Sequence, residues 1–164
     1  MPASSLVTDQ PGTGSKARTH APLVHLVLRA ATAHPPYRGR GCTHRSLHER
    51  CTRLLAEAAR PLLVPSPVVA EVCHLLEREA GSKVEAQFLH SLAVGTLTVV
   101  EPTSEDYERM SGLVAQYEDL PLGGVDAAVV AIAERFGLAE VATLDRRHFS
   151  VVRPRHVPAF TLRP

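Results

Sequence analysis

With 164 residues and 45% apolar content, the chain is about one domain long and holds enough apolar material to pack a core. Lys and Arg number 18 against 17 for Asp and Glu, so the near-neutral total announces neither a strongly basic nucleic-acid binder nor a chain built for acidic partners. No stretch approaches the roughly 18 consecutive apolar residues of a membrane span, no apolar leader with a cleavage site opens the chain, and Cys42, Cys51 and Cys73 cannot all pair with one another; the expectation is a soluble protein of the reducing cytoplasm.

The charges are unevenly distributed. Residues 1–50 hold seven of the basic residues and two of the acids, leaving eleven and fifteen to residues 51–164, and no Asp or Glu stands between Gln10 and His48. Residues 1–47, rich in Pro, Gly, Ser, Thr, His and Arg, read as a weakly structured or atypical segment, and residues 48–164 as the domain proper. In the first part only Leu23–Leu28 (LVHLVL) has the short apolar character of a strand. HERCTRLLAEAAR, from residue 48, carries leucines and alanines at helical spacing, and Leu62–Val64 follows as a strand. Ser66 before Pro67 is a helix start, with the serine expected to cap a helix running to about Ala80 and Gly81 ending it. Ser82 to Leu92 is the next helix, Thr96–Val100 a strand, and Thr103 begins a helix lasting to about Tyr117. After the loop 118–124, Val125–Phe136 is a nearly wholly apolar helix closed by Gly137; Val141–Leu144 and Phe160–Leu162 are the last strands. Strands alternating with helices predict an α/β domain with a mainly parallel sheet.

Three carboxylates stand where chemistry could use them. Glu71 flanks the apolar face made by Val68, Val69, Val72, Leu75 and Leu76, which fits a boundary glutamate paired with a surface arginine as well as a ligand. Asp126 lies in the first turn of an apolar helix; the helix dipole favours an acid there, yet a carboxylate beside a buried helix needs a cation or several donors, and no Lys or Arg lies within eight residues. Asp145 follows the strand VATL, at the carboxyl end where open α/β sheets place ligands, although an aspartate before Arg146 and Arg147 is also a common turn former. If the three gathered, their repulsion would call for a cation, and an all-oxygen set suits Mg²⁺ or Mn²⁺ and phosphodiester hydrolysis.

The segments LLVPSPVVAEV, YEDLPLGGVDAAVVAIAERFG and ATLDRRHFSVVRP resemble, in order, the motifs of PIN-domain ribonucleases of the VapC toxin kind, over most of residues 48–164. The resemblance implies a three-layer α/β sandwich and a small Mg²⁺-dependent (or Mn²⁺-dependent) endoribonuclease. It further implies RNA as substrate, a VapB-type antitoxin as inhibitor and a homodimer. Glu71, Asp126 and Asp145 would be the catalytic and metal-site carboxylates, with Asp119 and Thr143 at supporting positions; Arg146 and Arg147 are candidates for RNA phosphates. One departure stands out. The family's first strand ends in an aspartate, whereas Leu23–Leu28 is followed by Arg29, Ala30 and Ala31, and Asp9 lies 62 residues before Glu71. The acid-free composition of residues 10–47 is that expected of a segment replaced or misread in frame.

Two other functions follow from particular residues. A PIN domain lacking that aspartate can be catalytically impaired and still bind an antitoxin or RNA. Cys42, His44, His48 and Cys51 are zinc-ligand types within ten residues, at a spacing unusual for a zinc module.

Overall fold

A computed structural model of the chain describes residues 23–24, 49, 53–58 and 61–163. The zinc-type residues Cys42, His44, His48 and Cys51, together with Asp9 and Arg29–Ala31, lie outside the described residues. The described elements in chain order are β1 (Leu23–Val24), β2 (Leu63–Pro65), α1 (Ser66–Glu79), α2 (Ser82–Ala93), β3 (Thr98–Val100), α3 (Ser104–Gln116), α4 (Gly124–Phe136), β4 (Glu140–Ala142), α5 (Arg146–Val151) and β5 (Thr161–Arg163). Residues 53–57, within the expected HERCTRLLAEAAR helix, are helical.

All five strands run parallel in one sheet of order β3-β2-β1-β4-β5, with Leu23 in register with Leu63 on one side and Val141 on the other. The strand expected at 23–28 is therefore represented at the centre of the sheet. A strand with a neighbour on each side in a parallel sheet is buried on both faces, which explains why β2, and β4 past Glu140, are apolar without alternation. The fold is the α/β sandwich expected from the sequence, a parallel sheet flanked by helices.

The core is built on α4. Its residues Ala127 to Ala133 are all buried, because the run AAVVAIA offers no polar face to water. Around it pack Leu62 and Val64 of the β2 segment, Val68, Val72 and Leu76 of α1, Leu113 of α3, Val141 of β4 and Phe149 of α5. Gly137 ends α4 in the left-handed conformation at φ 65, which glycine adopts without steric penalty. Two ion pairs tie α3 to α4: Arg109 grips Glu134 with two hydrogen bonds of 2.8 Å, and Arg135 Nε meets Asp106 at 2.9 Å.

One local expectation is altered. Ser66 does not cap α1; it is the first helical residue, and its hydroxyl donates instead to Glu101 Oε2 beyond the end of β3, at 2.5 Å. A hydroxyl facing a carboxylate gains a charge-assisted bond, stronger than the neutral contact a cap provides. Capping is realised at α3, where Thr103 accepts from the Asp106 N–H while Asp106 accepts from the Thr103 N–H.

Candidate active site

The carboxyl ends of parallel strands share one edge of the sheet, and β4 delivers its successors there. Past Ala142 come Thr143, Leu144 and Asp145, and Asp145 starts a helix that the sequence pattern did not reveal. Its carboxylate accepts from the Arg147 N–H at 2.9 Å, capping α5, and Thr143 Oγ1 accepts from the Asp145 N–H at 3.1 Å. Thr143 is fully buried, so Asp145 is fixed by a hydroxyl anchored in the core. Capping occupies Oδ1, in keeping with the turn-forming reading of Asp145, and leaves Oδ2 facing elsewhere.

Oδ2 of Asp145 faces His148. One helical turn places this histidine's Nδ1 3.8 Å from Asp145 Oδ2 and 2.7 Å from Asp126 Oδ2, in the first turn of α4. Since an ionised carboxylate only accepts, Nδ1–H donates to Asp126. The Asp126 and His148 side chains are 13% and 15% exposed, whereas Asp145 retains 38%. The two Oδ2 atoms, sharing one nitrogen neighbour, lie at most about 6.5 Å apart, a repulsion of at least about 2.5 kcal/mol between two charges at an effective dielectric of 20. His148 is the interposed donor. Sequence reasoning assigned it no role, and the available signal was its position three residues after a potential cap in LDRRHF, which turns it back toward Asp145 on a helix.

Glu71 is half-buried on α1 with Oε2 enclosed, and Asp119 is exposed in the loop before α4. Among the described residues no group of three or more His, Cys, Asp or Glu side chains is placed to hold a metal ion. The donors are of the oxygen type a hard divalent cation prefers, but the structure gathers Asp126 and Asp145 around an imidazole and does not bring Glu71 into that group; as arranged, these residues do not fit a resident ion.

Arg146 and Arg147 are both exposed at the start of α5. Arg146 reaches the Leu162 carbonyl at 3.5 Å, while the Arg147 guanidinium has no hydrogen bond or ion pair among the described residues. Away from this edge, Arg109, Glu134, Arg135, Asp106, Arg155 and His156 line a cavity of about 350 Å³ near the end of α4. There burial pushes the Glu134 carboxyl up, but its bonds from Arg109 and from the Arg155 N–H and the charges of both arginines outweigh it, leaving it below the usual glutamate value.

The chain is thus a parallel α/β sandwich in which Asp126 and Asp145 meet His148 at the carboxyl edge, where open sheets of this class place ligands. The PIN-domain family model matches residues 42–153. Ribonuclease VapC26 of Mycobacterium tuberculosis is 33% identical over 117 residues, covering 71% of this chain and 87% of that protein. The crystal structure of Mycobacterium tuberculosis VapC20, a sarcin–ricin loop cleaving toxin, superposes with a TM-score of 0.66 at 18% identity, over 88% of this chain and 100% of that one, a likeness of fold. The chain belongs to the PIN-domain family, and within it to the VapC ribonucleases. No helix among the described residues is long and apolar enough to cross a membrane.

Proposed function

We propose that the chain is a toxin-type endoribonuclease, hydrolysing RNA phosphodiesters in the cytoplasm and silenced by a VapB-type antitoxin, with a homodimer as its working form. The observation that carries this reading is the meeting of Asp126 and Asp145 at the carboxyl edge of the sheet, with Arg147, whose guanidinium has no hydrogen bond or ion pair among the described residues, two residues on from Asp145. Arg147, with Arg146, is suited to hold a backbone phosphate, and Thr143 to keep the Asp145 carboxylate aimed across the edge. In this reading Asp126, Asp145 and Glu71 are the catalytic carboxylates, with Asp119 in support, and they would serve as oxygen donors for Mg²⁺ or Mn²⁺ only in an arrangement that gathers Glu71 to the other two.

A second reading, an impaired PIN domain that still binds RNA or antitoxin, is favoured by one structural observation, that no group of three or more His, Cys, Asp or Glu side chains among the described residues is placed to hold a metal ion, and by the sequence, in which the apolar run Leu23–Leu28 is followed by Arg29 and not by an aspartate. An RNA cleavage assay with Mg²⁺ or Mn²⁺ separates the two. Cleavage by the native chain, reduced at least about 100-fold in Asp126→Ala, supports the enzyme. Cleavage gained only in Arg29→Asp supports the impaired domain.

A further inference from the structure

The His148 Nδ1 is a near neighbour of both the Asp126 and the Asp145 carboxylate, the two groups that a shared ion would also have to approach. We propose that His148 is the built-in counter-group of this acidic centre and competes with a divalent cation for Asp126. The inference rests on the nuclease reading only in treating Asp126 and Asp145 as the centre.

Three observations carry it. Nδ1 lies 2.7 Å from Asp126 Oδ2 and 3.8 Å from Asp145 Oδ2, so both carboxylates approach the same ring nitrogen. The ring is only 15% exposed, which makes it part of the packed site and not a surface side chain resting on it. Its backbone is also held: the next residue, Phe149, is 1% exposed and packs edge-on against Phe160 at 6.3 Å, and the helix start is fixed by the Asp145 cap. A hard cation binds carboxylate oxygen at about 2.0–2.1 Å and demands near-octahedral surroundings, so it cannot share the space between the two Oδ2 atoms with an imidazole nitrogen. The competition is for position and holds whether the ring is neutral or charged. An ion enters only when His148 yields its bond to Asp126, and a hydrogen bond to a charged group is among the stronger ones.

Calorimetric titration of the full chain with MnCl₂ tests this. His148→Ala should bind Mn²⁺ at least about tenfold more tightly than the native chain, with an unchanged circular-dichroism spectrum. His148→Ser, whose side chain is too short to reach Asp126, should show the same gain and serves if the alanine variant does not fold. His148→Asn, which keeps an N–H in reach, should stay within about threefold of native. In Asp126→Ala/His148→Ala the gain should vanish. Folded His148→Ala and His148→Ser that bind Mn²⁺ no tighter than native overturn the proposal, as does a gain that survives in the double variant. No RNA enters the experiment, so loss of the nuclease reading would appear as absent cleavage and leave this result to stand or fall separately.

Discussion

Replacing Glu134 by alanine removes the only carboxylate that the Arg109 guanidinium grips and the acceptor of the Arg155 N–H among the described residues. The two side chains are 12% and 10% exposed, so the variant leaves a cation largely out of water with no counter-charge. Breaking a fully buried pair from one side costs about 3–5 kcal/mol; with a tenth of the surface still wet, about 2–4 kcal/mol is expected here. For a chain of this length that lowers the melting temperature by about 4–16 °C. Thermal or urea unfolding followed by circular dichroism measures it. Because the Glu134 carboxyl is held below its ordinary value of 4.5, its contribution is complete above that pH and is lost as the pH falls through the lowered value. The gap between native and variant should therefore be constant from about pH 7 to 5 and close below about 4.5. Arg109→Met/Glu134→Leu, which removes both charges, should be more stable than the sum of its single changes predicts. Strict additivity, or a gap that persists at low pH, would refute the reasoning.

Arg147→Ala should weaken RNA binding and reduce the slope of log affinity against log salt by about one, measured by fluorescence anisotropy at several salt concentrations; an unchanged slope would place Arg147 on a merely solvated surface. Thr143→Val removes the hydroxyl that accepts from the Asp145 N–H and should lower RNA cleavage without changing RNA affinity. Equal losses in both would show that the change disturbs the fold at large. Ile132→Ala, at a fully buried position of α4, should cost about 2–5 kcal/mol in denaturant unfolding, and a cost under about 1 kcal/mol would contradict the packing described.

The sequence by itself determined the elements and their class. Apolar runs of strand length alternating with helical periodicity leave few alternatives to a parallel α/β sheet, and AAVVAIA reads as buried because no side of it suits water and as helix because the segment Val125–Phe136 is of helix length and is closed by Gly137. The three motifs also carried the family, since each couples an acid to a particular element boundary. Tertiary structure decided the partners. Asp126 has no Lys or Arg within eight residues of sequence, and the group that meets it, His148, comes 22 residues later on a six-residue helix too short to leave a periodic signal. Arg109 and Glu134, 25 residues apart, are indistinguishable in sequence from solvated charges, and Ser66 looked like a cap until Glu101, 35 residues on, claimed its hydroxyl. Local pattern is written by burial of each residue against water, which the chain carries at every position. Which polar side chains meet depends on the crossing of helices over the sheet, and no spacing along the chain encodes that.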